Sequence, residues 1–352
     1  MKKVGVLVVL SALMALTCFT AGTYAADVIK LKFATHYQPT HGNAVLSSQF
    51  CDEIKKRTNG RVEIGFFPGG ILASLPKVAQ AVSTDVVDIG LANIASTRGR
   101  FPVTEVLDLP LGFSSAYVSS HVASDFYNKF KPKEWDSLHM LYFHACGPNV
   151  VFASKPVRKL EDMSGLKLRA VSRVADVVKA LGGTPVPIEM ADIYESLNKG
   201  VVQGFYGPFE QIGGHKLVDI IKNATPALPV GSVFTFYVAM NKNKWNSLPA
   251  DIKKIFDEVA AEYAEKQAIV WDGIDMEAIQ YFKKGGGQLY FLSEEEGAKW
   301  KKAAAPVFVD FTNDMVGKGF KKAEIEEWMK FAQDRIAYWE QNQKKLKIKV
   351  PY

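Results

Sequence analysis

The chain has 352 residues, 48% of them hydrophobic and 23% charged, with a formal net charge of +6. That length exceeds one ordinary core and fits two domains of roughly 150 residues each. The composition excludes a disordered chain, and the mild charge, with no dense basic run carrying interleaved aromatics, excludes a nucleic-acid surface.

Lys2 and Lys3 give a basic start, Val4 to Thr20 is an apolar run, and Thr23-Tyr24-Ala25 places small residues at the cleavage-site positions. This predicts a signal peptide at 1–25, removed after Ala25 on export. The rival readings are an uncleaved anchor and, through Cys18, a lipoprotein, although Ala15-Leu16-Thr17 matches the lipoprotein pattern poorly. Loss of Lys2 and Lys3 lowers the charge to +4. Cys51 and Cys146 remain. Export permits a disulfide between them, and two separate buried thiols are the preferred reading.

Val28 to Ala34 alternates and predicts a first strand, followed by a loop with His36 and Tyr37. Asn43 to Asn59 predicts a helix, Arg61 to Phe67 a strand, Pro76 to Ser83 a short helix, and Val86 to Ala92 a third strand ending in Asn93-Ile94-Ala95-Ser96. This order argues for a mostly parallel α/β lobe, in which ligands lie beyond the carboxyl ends of the strands. His36, Tyr37, Ser74, Asn93 and Ser96 then share one rim. Ala116 to Phe130 is helical, and Leu138 to Cys146 and Val150 to Ser154 are strands.

The stretch Gly165 to Glu210 predicts a βαβ-type unit. Its first strand, Leu166 to Val171, carries Arg169 among apolar neighbours, with Ser172 just before the helix that follows. Gly182-Gly183 stops that helix, Pro185 and Pro187 hold an extended link, and a second helix, Ala191 to Lys199, follows Met190. The strand Val201 to Tyr206 then runs into Gly207-Pro208. Both strand ends can face a cleft, where Arg169 would grip a carboxylate. Later, residues 230–240 form a β-rich run able to cross between lobes, with Phe234 and Phe236 on one face. Asp251 to Gln280 is helical, with Gly273 as a possible interruption. Gln288 to Leu292 is a short strand, and Glu294 to Phe311 and Ala323 to Leu346 are helical, the last with an apolar stripe.

No HExxH, CxxC, G-x-S-x-G, P-loop or G-x-G-x-x-G is present. His139 and His144 share a strand, but their odd separation directs them to opposite faces and argues against a metal pair. No metal, cofactor or catalytic residue is expected. An exported enzyme on a two-lobe scaffold is the remote alternative.

The segments LKFATHYQPTHGN, TNGRVEIGFFPGG, EDMSGLKLRA, LGGTPVPIEMADIYESLNKGVVQG and MNKNKWNSLP, in this order from Leu31 to Pro249, resemble the DctP-type solute-binding proteins of TRAP transporters. The resemblance implies a periplasmic receptor with the α/β two-lobe, type II periplasmic-binding-protein fold, with crossing strands and a long helix. It places lobe 1 at 26–148 plus 237–275, and lobe 2 at 149–236 plus 276–352 with the C-terminal helix. The implied partners are a small organic acid and the small and large membrane subunits of a sodium-coupled permease. Gly165-Leu166-Lys167-Leu168-Arg169 matches the family's G-x-K-x-R motif, so Arg169 inherits the role of carboxylate anchor.

Two positions depart from the family. A frequent second arginine is replaced by Asn149. The frequent Gly-Gln-Glu-Asn-Pro reads Gly204-Phe205-Tyr206-Gly207-Pro208, which removes polar partners and leaves space and aromatic surface at Tyr206 and Gly207. The expected ligand is therefore a monocarboxylate with an aromatic or bulky apolar body, captured by hinge closure. A small aliphatic oxo- or hydroxy-acid is the alternative, with Asn149 and Asn93 as polar partners. Expected lining residues are Arg169, Asn149, Tyr206, Gly207, His36, Tyr37, Asn93, Ser96, Ser74, Ser172, Met190, Phe234 and Phe236.

Overall fold

A computed structural model describes residues 28–214 and 216–352. The leader read at 1–25 lies outside them. The first part of the chain forms β1 (Ile29–Thr35), α1 (Gly42–Arg57), β2 (Val62–Phe67), α2 (Val78–Ser83), β3 (Ile89–Asn93), α3 (Ala116–Phe130) and β4 (Leu138–Ala145). Next come β5 (Val150–Ala153), β6 (Lys167–Arg169), α4 (Ser172–Ala180), β7 (Thr184–Val186), α5 (Ile193–Asn198), β8 (Gly204–Gly207), α6 (Gln211–Gly214) and β9 (Asn223–Pro226). The remainder forms β10 (Thr235–Asn241), α7 (Lys242–Ser247), α8 (Ala250–Lys284), β11 (Gln288–Leu289), α9 (Glu294–Ala304), α10 (Pro306–Gly317) and α11 (Lys322–Leu346).

Two sheets follow from this order. One runs β2-β1-β3-β10-β4 and the other β11-β9-β5-β8-β6-β7. β1 lies parallel to β2 and β3, while β10 is antiparallel to β3 and β4. The chain therefore leaves the first sheet after β4 and re-enters it at β10. The two crossing segments pair with each other: Cys146 N donates to Phe234 O at 3.1 Å, and Asn149 N to Ser232 O at 2.9 Å.

Local chemistry explains the elements. His41 caps α1, its Nδ1 accepting from Asn43 N at 3.2 Å. Asn59 and Gly60 then take positive φ and end that helix. Gly204 carries no side chain because a Cβ there would collide with the backbone carbonyl of Phe152 on β5. The core falls into two clusters, the larger of which covers the first sheet and extends to Leu168 and Tyr206 of the second. Phe33, Phe50, Trp135 and Trp271 belong to that larger, first cluster, and Phe152, Phe205, Phe209 and Phe282 to the smaller, second one. Phe209 is thus core, and so is Phe205, which stacks on Phe152 at 4.4 Å and offers no aromatic surface to a cleft.

Several sequence expectations need revision. Gly273 does not interrupt α8, which is continuous over 35 residues. A single glycine costs a helix only about 1 kcal/mol, and Asp272 and Asp275 tie the turns around it to both parts of the molecule. The helical run from Glu294 breaks before Pro306, whose missing N–H suits the first turn of a new helix. The link with Pro185 is strand β7, at the sheet edge where proline is tolerated. β9, ending in Pro226, carried no periodic signal. The register of β4 against β10 shifts between Val238 and Ala239. His139 and His144 therefore oppose Met240 and Phe236, which lie on one face of β10, so the bulge puts both histidines on the same face. Four residues of β10, about 13 Å, separate them. The C-terminal helix α11, grouped with lobe 2 from sequence, packs along α3, with Arg335 Nε and Trp339 Nε1 both donating to Asp125 Oδ2. Cys51 and Cys146, by contrast, are separate buried thiols, as the preferred sequence reading has them.

Candidate functional site

The candidate residues stand at the ends of β1, β3 and β4 in one sheet, at the ends of β6 and β8 in the other, and on the crossing segments. Arg169 ends β6 and is 6% exposed. Its Nε donates to Ile188 O at 2.8 Å. No ion pair joins it to a carboxylate among the described residues, and burial lowers its pKa to about 10, against a smaller opposing pull from Glu189. Arg173, four residues on, is the contrast. It is equally buried, yet its Nε donates to Glu105 at 2.8 Å and its Nη2 to Asp314. Burial alone would lower the Arg173 pKa, but these two carboxylates win and raise it.

Polar groups from the second sheet and the crossing segment meet at Ser232. Tyr206 OH lies 2.9 Å from Ser232 Oγ, and Asn149 Nδ2 donates to the same oxygen at 3.3 Å. Both residues are fully buried, and Asn149 Oδ1 has no hydrogen-bond partner among the described residues. Ser172 has φ of 55° and a buried Oγ likewise without a partner there. Gly207 ends β8, but the space expected beside it is filled by the side chain of Gln211. Met190 is half-buried and packs on the second core.

The first lobe supplies rings. Tyr37 stacks on His41 at 4.2 Å and lies 4.1 Å from the ring of His36 and 6.1 Å from Phe236. His144 stacks on Phe236 at 5.1 Å. Trp271 Nε1 donates to His144 Nδ1 at 2.7 Å, which leaves the proton of a neutral imidazole on Nε2. Burial, with His36 adding to it, lowers the His144 pKa to about 3. The sign follows: below the unfolded value of 6.5 the unfolded chain binds a proton that the fold refuses, so stability is lost as pH falls toward 3. We expect the stability advantage of wild type over His144→Asn, which keeps an acceptor for Trp271, to be constant above pH 7 and to shrink between pH 6.5 and 4. Urea titrations at several pH values check this, and an advantage independent of pH would refute it.

Asn93 and Ser96 are brought near but partly used up, since Ser96 N donates to Asn93 Oδ1 at 2.8 Å and Ser96 Oγ to Asn93 O at 2.8 Å. Ser74 is exposed at the start of a short 3₁₀ turn, and Phe234 is buried beside Cys146. Two side-chain contacts join the lobes. Arg98 Nη2 donates to Asp176 at 2.8 Å, and His41 Nε2 lies 3.2 Å from Glu210 Oε2. One surface hollow of about 430 Å³ lies at the opposite end of β10, around Asn241 and Lys244, far from these groups.

Residues 33–314 match the family model described as bacterial extracellular solute-binding protein, family 7 (DctP). The chain belongs to the DctP family. It is 26% identical over 289 residues to the C4-dicarboxylate-binding periplasmic protein DctP of Rhodobacter capsulatus, covering 80% of this chain and 86% of that one. Two solved structures superpose with a TM-score of 0.82 at 25% identity, each covering 89% of this chain and 99% of the other. One is a marine-metagenome TRAP solute-binding protein specific for aromatic acids, in complex with 3-hydroxybenzoate. The other is a TRAP solute-binding protein from Rhodoferax ferrireducens with copurified benzoate. This DctP-family chain is thus a transporter receptor with the two-lobe fold, and not an enzyme.

Sequence reasoning missed His144, Trp271, Ser232 and Gln211. His144 was legible as the end of a strand. Trp271 reaches the site from a helix remote in sequence, and no local signal marks it.

Proposed function

We propose that this receptor captures an organic monocarboxylate with an aromatic or bulky apolar body and delivers it to the small and large subunits of a sodium-coupled TRAP permease. One observation carries the reading: Arg169 is a buried guanidinium with a backbone carbonyl at Nε and no carboxylate paired with it among the described residues. A buried unpaired cation is costly, and a ligand carboxylate offsets that cost through two parallel charge-assisted hydrogen bonds. Tyr37, Phe236 and His144 present rings from the opposite lobe, which suits a flat apolar body. The aromatic acids held by the two structural relatives support the same class. Closure follows from bridging: Arg169 belongs to the second lobe and the rings to the first, so a ligand touching both favours the closed state.

A small aliphatic oxo- or hydroxy-acid is the second reading, favoured by the unpartnered Asn149 Oδ1 and by the dicarboxylate-binding relative. Asn93 supports it less, since its oxygen is occupied by Ser96. A thermal-shift screen with matched aromatic and aliphatic acids separates the two. Benzoate and 3-hydroxybenzoate should raise the melting temperature by several degrees. Shifts confined to aliphatic acids would sink the aromatic reading.

A further inference from the structure

We propose that the side-chain amide of Gln211 is a second ligand-binding group, set beside Arg169 in the place that Gly207 leaves open. The inference deepens the carboxylate-receptor reading and rests on it. Geometry carries the argument. Arg169 on β6 is in parallel register with Phe205 on β8, so the two side chains leave the sheet on the same face. Gly207 lies two residues beyond Phe205, about 7 Å further along, and directs its missing side chain to that face as well. An ideal Cβ on Gly207 would run into Gln211 Oε1 and would lie 3.1 Å from its Cδ and 3.3 Å from its Nε2. The Gln211 amide therefore occupies the place of a residue-207 side chain.

Gln211 is also under-used within the fold. It is 9% exposed, and its Oε1 is buried without a hydrogen-bond partner among the described residues. A buried amide oxygen left in that state is costly, and nearly all such groups in folded proteins find a partner. A primary amide turned by half a rotation presents N–H instead of C=O. In that orientation Gln211 donates one N–H to a carboxylate oxygen that Arg169 also holds. Gly207 then has a specific reason: any larger residue displaces the amide.

The test uses the mature receptor freed of bound ligand. Calorimetric titration with benzoate compares wild type, Gln211→Met and Gln211→Glu. Methionine keeps the bulk over Gly207 without the amide, and glutamate sets a negative charge against the ligand. Affinity should fall at least tenfold in Gln211→Met and further in Gln211→Glu, while the ligand-free melting temperature of Gln211→Met stays at or above the wild-type value. Gly207→Ala should weaken binding in the same direction. Wild-type affinity in Gln211→Met would overturn the proposal and reduce Gln211 to packing. Titration with pyruvate keeps the two readings apart. If wild type takes pyruvate and not benzoate, the aromatic reading fails, and the loss or retention of pyruvate binding in Gln211→Met decides the role of Gln211.

Discussion

Arg169→Ala is expected to bind its acid ten- to a hundredfold more weakly than wild type, without loss of folded protein. The magnitude is that of one net charge-assisted hydrogen bond, roughly 1.5–3 kcal/mol, with water taking over part of what the second one supplied. The fold should tolerate the change because Arg169 pairs with no carboxylate among the described residues, so its removal strands no buried charge. Arg169→Lys should recover only part of the affinity, since an ammonium offers a point charge and not a planar fork. Calorimetry with benzoate reads the affinity and thermal melting the fold. Undiminished binding in Arg169→Ala would remove the anchor, and with it the carboxylate reading.

Arg173→Ala should fail in the opposite way, losing stability before anything else. Glu105, its partner, is 0% exposed, so the substitution leaves a carboxylate buried with only Gly99 N donating to its other oxygen. Breaking one side of a buried ion pair costs about 3–5 kcal/mol. Arg173 also lies 4.9 Å over the ring of Phe311, which adds lost packing. Urea denaturation should show a large drop in midpoint. The double variant Arg173→Met with Glu105→Gln should recover much of it, because the stranded charge is then gone. A loss below about 1 kcal/mol in Arg173→Ala would show that water or a rearranged neighbour satisfies Glu105.

The comparison of these two arginines shows what was legible before the structure. Both stand in one short stretch with similar neighbours, and residue type alone assigns neither. The resemblance at Gly165 to Arg169 singled out the first. Only the fold reveals that Glu105 and Asp314, 68 and 141 residues away, claim the second. Strong periodic elements such as β1, α1, α3 and the stripe of α11 were readable because their apolar faces are long. Short strands with proline, β7 and β9, were not. The faces of His139 and His144 were misread because one bulged residue inverts alternation, and a bulge leaves no mark in a pattern of eight residues. At Gly207 the sequence showed an absence that reads as empty space. A side chain four positions later fills it, which a strand-only reading of Gly204 to Gly207 does not reach.

Helix α8 gives the two lobes a common spine. Over 35 residues it extends about 52 Å. Phe256, Val259 and Trp271 on it are buried in the first core, and Ala278, Ile279 and Phe282 in the second. Asp272 grips the start of α3, where it accepts from Ala116 N and Tyr117 N, and Asp275 accepts from Glu210 N at 2.9 Å. The lobes are therefore clamped to one beam at points less than a turn apart. Between the two clamps sits Gly273, with no neighbour within 4 Å of its would-be Cβ. On the proposed closure, the receptor would flex like a tweezer cut from one rod, with only Gly273 and Ile274 between its two clamps.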